Sequence, residues 1–191
     1  YDKKGELVCT QAFPSMPIYF WNDKNEEKYF SAYFDRFPSV WHHGDYISIS
    51  KSGGVKIFGR SDTTLNPGGV RIGTSEIYQT VERFEEVDDS LVIGQPWSND
   101  ERIVLFLKMQ KDYILSEKLI KDIKSAIKNT CSPRHVPQKI VSIKDIPYTI
   151  NGKKVELAVK NVIQNIEVKN KDALTNPEAL DYFKNIAELN T

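Results

Sequence analysis

Four short polar clusters hold the residue types from which chemistry could be built. The first is Trp41-His42-His43-Gly44-Asp45, where a glycine turns the chain just before a carboxylate at the mouth of a strand. An acidic side chain there can accept both hydroxyls of a ribose, although an isolated Gly-Asp pair is more often a turn whose Asp bonds its own backbone. His42 and His43 lack the Cys, His or carboxylate spacing of a metal site and read as structural or rim residues. The second and third clusters share one loop: Gly59-Arg60-Ser61-Asp62, then Gly68-Gly69-Val70-Arg71 running into a helix start at Thr74. Arg60 and Arg71 offer planar guanidinium forks that suit phosphate, and an Arg ahead of a helix can share an anion with the open N–H groups there. The plain alternative is a hairpin exit with a surface ion pair of little worth, followed by a turn that only turns. The fourth cluster, Pro147 to Lys154, is a tight projecting loop with Lys153 at its tip, a compact charge on a flexible stem. It is not a phosphate-binding P-loop, because the upstream glycine is absent and Gly152-Lys153 is followed by Lys154. A lysine at a loop tip is most often simply solvated.

The elements that must position these clusters follow from periodicity. Segments 6–11 and 16–21 read as strands, and 25–34 carries aromatics at helical spacing. Segments 46–50 and 55–58 frame Lys51-Ser52-Gly53-Gly54, a strong hairpin signal. Thr74 is expected to cap a helix whose Ile77, Val81 and Phe84 share one face while Glu82, Glu85 and Glu86 stay wet. Strands at 90–95 and 102–109, a helix at 116–129, a strand at 139–143 and a helix at 155–164 come next. This order predicts an α+β fold in which helices cover a short sheet. Composition shifts from aromatic-rich to helix-rich inside the Gly59–Gly73 loop, placing a boundary near Asp62. Beyond 166, Asn176-Pro177-Glu178 reads as a capped start to another helix whose Leu180, Phe183 and Ile186 can dock on something.

With 26 basic and 26 acidic residues in 191, no net charge steers the chain toward nucleic acid or an anionic membrane. Cys9 and Cys131 are too few for a disulfide framework, and no apolar run approaches bilayer length, so the cytoplasm is the default expectation. Tyr1 is not an initiator Met and nothing signal-like follows it, which suggests a piece of a longer protein.

Taken together and in order, Asp45, Gly59-Arg60-Ser61-Asp62, Gly69-Val70-Arg71-Ile72 with Glu76, and Pro147 through Gly152-Lys153 resemble the C-terminal motif series of the adenylate-forming acyl-CoA synthetases. Within that family they look like the branch that uses acetoacetate. Pro14-Ser15-Met16-Pro17, Ser132-Pro133-Arg134-His135-Val136-Pro137, Gly152-Lys153-Lys154-Val155-Glu156 and Asn176-Pro177-Glu178 carry that finer likeness. The resemblance implies that residues 1–60 end a large N-terminal adenylation domain, β-rich here, and that 61–191 form a mobile C-terminal domain with a short mixed sheet flanked by helices. It implies ATP, Mg2+ and CoA as substrates or cofactor of the complete enzyme, no metal site within this chain, small-molecule substrates, and the N-terminal domain as the partner. By the same resemblance, Asp45 would hold the ribose hydroxyls, Arg60 would contact the ribose, and Asp62 would be the hinge. Arg71 would approach the adenylate phosphate, Gly69 would line the path of the CoA thiol, and Lys153 would be catalytic in adenylation.

Two departures bear on those roles. Trp41-His42-His43 stands where many relatives have Tyr-Arg-Thr or Tyr-Phe-Thr, and Lys154-Val155-Glu156 removes an expected basic grip on CoA, leaving Lys128 and Arg134 as candidates for it. An acetyl- or propionyl-CoA synthetase, a non-catalytic nucleotide- or CoA-binding module, and an assembly surface are the competing expectations.

Overall fold

The alternation of strand-forming and helix-forming stretches resolves, in a computed structural model describing residues 1–191, into two compact units, Tyr1–Asp62 and Thr63–Thr191. In the first unit, β1 (Lys4–Cys9), β2 (Trp41–Ile49) and β3 (Val55–Arg60) form an antiparallel sheet in that order. The expected hairpin is present: Ser50 N–H donates to Gly54 O (2.8 Å), and Gly53 turns the chain at φ 86°. Helix α1 (Glu27–Tyr33) also forms, and Asp23 serves its first turn by accepting from Lys28 N–H (3.1 Å) and Tyr29 N–H (2.8 Å). Its aromatic face packs on β2, with Tyr33 stacked on Trp41 at 3.7 Å.

Segment 16–21 does not form the expected strand. Pro14 and Pro17 remove backbone donors, no neighbouring strand pairs with the segment, and Ile18 and Trp21 are 88% and 89% exposed.

The second unit is built on a mixed sheet, β4 (Val87–Trp97), β5 (Asp100–Met109) and β6 (Lys139–Ser142), with β4–β5 antiparallel and β5–β6 parallel. Because side chains alternate along a strand, the unbroken apolar run of β5 feeds two cores. Ile103, Leu105 and Leu107 pack with Val92 beneath α2 (Thr74–Val81) and α3 (Glu117–Thr130). Val104 and Phe106 pack with Leu91, Ile93 and Val141 beneath Val159 of α4 (Glu156–Ile163) and the tail. Covering both faces is why β5 lacks the alternating pattern of a half-exposed strand. The α+β expectation of a mixed sheet flanked by helices therefore holds.

Two local expectations are corrected. Gly73, in extended backbone, occupies the cap position of α2, and Thr74 is the first residue inside; Phe84 lies beyond the helix yet still packs on the core. The tail forms 3-10 turns over Pro177–Phe183 instead of a capped α-helix, and Leu180 and Phe183 are buried against the sheet. Asn176 makes no cap. Its amide instead ties the tail to the preceding loop, donating to Asp145 Oδ2 and Ile146 O (2.9 Å each) and accepting from Tyr148 N–H (2.9 Å).

Candidate functional site

In the first unit, strand pairing sets Asp45 of β2 opposite Arg60 of β3. The Arg60 guanidinium reaches across to His43 O (3.1 Å), with Asp45 Oδ1 at 3.7 Å and Asp62 Oδ1 at 3.6 Å. Gly44 makes this crossing possible: its φ is 83°, and a Cβ built on it would lie 2.5 Å from an Arg60 terminal nitrogen. Any side chain at 44 would therefore displace Arg60. Asp45, Arg60 and Asp62 are thus brought together, partly exposed, beside an open cleft of about 630 Å³ whose walls include Tyr33, Arg36, Trp41, His42 and Asp62.

His43, expected as a rim residue, is oriented more closely than that. The buried Trp41 Nε1–H donates to His43 Nδ1 (3.3 Å), and an indole can only donate. The imidazole proton is thereby assigned to Nε2, which faces Asp45 Oδ2 at 3.4 Å. Behind the cluster, burial pushes the Glu6 carboxyl up, but bonds from Ser61 and His42 and the charge of Arg36 (2.9 Å) hold it below its ordinary value.

In the second unit, Leu65 and Ile72 pair by backbone bonds of 2.9 and 2.8 Å and bury their side chains, closing a loop with Gly69 and Arg71 at its exposed end. Gly68 and Gly69 take left-handed conformations at φ 57° and 75°. The turn does hold anions, and they are the chain's own: Asn66 N–H donates to Glu101 Oε1 (2.6 Å) and Gly68 N–H to both Asp100 oxygens (3.0 Å each). Likewise, at the start of α2 the Glu76 carboxylate accepts from Gly73 N–H (3.3 Å). Arg134 approaches Gly68 closely enough that a Cβ there would sit 3.0 Å from a guanidinium nitrogen, which places Arg134 next to Gly69. Lys128 is exposed in the last turn of α3.

Lys153 lies elsewhere in this unit, exposed at the tip of the loop between β6 and α4. Thr149 N–H donates to Lys153 O (2.9 Å), Gly152 N–H to Thr149 O (2.8 Å) and Lys153 N–H to Thr149 Oγ1 (3.1 Å). The tail runs alongside, with Ile150 N–H donating to Ala173 O (3.0 Å) and Thr175 N–H to Tyr148 O (2.9 Å). A tip with this many backbone bonds is an ordered turn.

No family model matches the chain. Among curated proteins it is 57% identical over 187 residues to an acetoacetyl-coenzyme A synthetase of Rhizobium meliloti (strain 1021), covering 98% of this chain and 29% of that protein. It is 54% identical over 191 residues to the acetoacetyl-CoA synthetase of Gallus gallus, covering 99% of this chain and 29% of that one. The solved acetoacetyl-CoA synthetase from Streptomyces lividans superposes with a TM-score of 0.91 at 39% identity, over 100% of this chain and 29% of its own. The chain belongs to the acetoacetyl-CoA synthetase family. It spans about 29% of the length of these relatives.

Several residues that hold the candidate loops of this acetoacetyl-CoA synthetase family member carry no sequence signal of their own. Asp100 and Glu101 open β5, directly after the tight turn at Ser98 and Asn99. Asp89 and Lys154 read as a strand-edge acid and a second loop lysine, yet they form an ion pair at 2.7 Å.

Proposed function

We propose that the chain is the C-terminal part of an AMP-forming acid–thiol ligase that converts acetoacetate, ATP and CoA to acetoacetyl-CoA, AMP and diphosphate. In the first half-reaction a carboxylate oxygen attacks the α-phosphorus of ATP and diphosphate leaves. In the second, the CoA thiol attacks the acyl carbonyl and AMP leaves. The observation that carries this proposal is the 57% identity to an acetoacetyl-coenzyme A synthetase along 98% of the chain, with Lys153 held at the tip of an ordered loop.

Within that reaction, Asp45 accepts the ribose hydroxyls and Arg60 contacts the ribose, a division of labour supported by their cross-strand pairing. Lys153 bridges carboxylate and α-phosphate oxygens as charge builds on them, an electrostatic role for a compact ammonium. Arg71 approaches the adenylate phosphate, Gly69 leaves room for the CoA thiol, and Arg134 and Lys128 face the CoA phosphates. Asp62 is the hinge, supported by the division into compact units immediately after it. Residues 1–60 would complete a larger N-terminal domain, which the exposed Ile18, Trp21, Val55 and Ile57 support as a surface awaiting cover.

No three His, Cys, Asp or Glu residues converge in this chain, and no step through Mg2+ is assigned to its residues. No helix is long and apolar enough to cross a membrane, and the free thiols of Cys9 and Cys131 fit a reducing compartment such as the cytoplasm. Occupation of the Asn66 and Gly68 N–H groups by internal carboxylates weighs against a stand-alone anion-binding module.

The test is carboxylate-dependent exchange between ATP and pyrophosphate by the full-length protein, comparing acetoacetate, acetate and propionate. Fastest exchange with acetoacetate is expected. Faster exchange with acetate or propionate would reassign the substrate, and none with any carboxylate would remove the ligase.

A further inference from the structure

The Lys153 loop has a narrow neck. Tyr148 and Lys154 pair across it as an antiparallel bridge, and 149–153 form the turn beyond. Adjacent residues in extended backbone point to opposite sides, so turning Lys154 inward turns Lys153 out. Lys154 is indeed turned in: its side chain is 17% exposed, and its ammonium donates to Ser90 O (2.7 Å), pairs with Asp89 Oδ1 (2.7 Å) and lies 4.4 Å from the centre of the Tyr78 ring. The other neck residue reaches the same carboxylate, because Tyr148 O–H donates to Asp89 Oδ2 (2.6 Å).

Each carboxylate oxygen of Asp89 therefore holds one end of the loop. Asp89 belongs to β4, a strand of the sheet covered on both faces, which gives the clamp a rigid base. Tyr78 extends the assembly by donating to Glu156 Oε1 (3.0 Å) at the first turn of α4 and accepting from Val92 N–H (3.1 Å). Burial and the neighbouring Asp89 charge raise the Tyr148 hydroxyl well above its ordinary value, so it remains a donor throughout the physiological range.

We propose that Asp89 is a positioning residue that clamps both ends of the Lys153 loop through Tyr148 and Lys154, fixing where the Lys153 ammonium is presented for adenylation. This rests on the ligase assignment above and adds to it the device that presents its catalytic lysine. Removing one partner of a partly buried, doubly bonded charge pair leaves the other uncompensated, so a single change should free the neck.

Two measurements on the full-length protein test it, using Asp89→Asn, Lys154→Met and Lys154→Arg. ATP/pyrophosphate exchange is expected to fall about tenfold or more in Asp89→Asn and Lys154→Met, with partial rescue in Lys154→Arg, because a displaced catalytic group loses rate steeply. Thioester formation from supplied acyl-adenylate should stay near wild type. Equal loss in both half-reactions would mean general damage to the second unit and would overturn the clamp. Amide hydrogen exchange of peptides covering 147–154 gives an answer that does not depend on activity: faster exchange there, with β4 and β5 unchanged, supports the clamp, and unchanged protection in both variants overturns it. If the wild-type protein exchanges no carboxylate, the ligase assignment fails and the hydrogen-exchange result alone decides the clamp.

Discussion

Strands β3 and β5 are both rich in β-branched and aromatic residues, but they live in different environments. In β3 only Phe58 is buried, and Val55 and Ile57 remain exposed. In β5 every residue from Arg102 to Leu107 is buried, because helices lie on one face of the sheet and α4 with the tail on the other. Strand propensity thus says that a segment pairs, and only its covering layers say how much it stabilises. The proposed site residues divide the same way: Asp45, Arg60 and Asp62 sit on or beside a lightly covered sheet where their ion pairs are solvent-screened, whereas Lys153 is carried by a loop tied into the dense unit.

The largest expected effect breaks the dense unit. Phe106→Ala empties a fully buried position packed edge-on against Phe183, and should cost about 3–5 kcal/mol in denaturant unfolding. Ile57→Ala, a comparable apolar deletion at a site exposed in the 191-residue chain by itself, should stay within about 0.5 kcal/mol when that chain is unfolded alone. Similar losses from the two would erase the contrast.

Next in size, on the proposed role of Lys153, is Lys153→Ala in the full-length protein, which should reduce adenylate formation by about a hundredfold or more while sparing thioester formation from supplied adenylate and leaving Tm unchanged. Equal loss of both half-reactions would remove its assigned role. On the proposed hinge role, Asp62→Pro in the full-length protein should slow overall turnover while sparing adenylation. Unaltered turnover would contradict a hinge at that residue.

The smallest effect probes the thin unit by pH. Glu6 titrates below its ordinary value of 4.5 in the folded protein, so its stabilisation is present above that pH and is lost as pH falls through the lowered value. Glu6→Gln should therefore be less stable than wild type at neutral pH, and the two Tm curves should converge on acidification. Parallel curves would show that the contacts of Glu6 with Ser61, His42 and Arg36 carry no net stabilisation.

Much of the fold was legible because its signals are local. The hairpin at Lys51–Gly54, the succession of strands and helices along the second unit and the tail's apolar anchors all follow from spacing and turn chemistry. Segment 16–21 misled because apolar character was present while two prolines and the lack of a pairing strand ruled out a ladder. The site was legible in its residue types, but an anion was expected at the open N–H groups of the helix start beside Arg71, where Glu76 already accepts from Gly73 N–H, and the Asn66 and Gly68 N–H groups of the preceding turn are held by Glu101 and Asp100, more than thirty positions away.

By itself, then, the sequence determined which residues could bind or react and the local turns that carry them, since a glycine's freedom or a lysine's charge is intrinsic to the residue. Only the tertiary structure decided which of those groups are already satisfied. Asp89 meets Tyr148 across 59 positions and Lys154 across a similar span, and a bond between distant residues exists only once the sheet has brought their strands and loops together. That is why two adjacent lysines, indistinguishable as letters, differ in burial and in the work available to them.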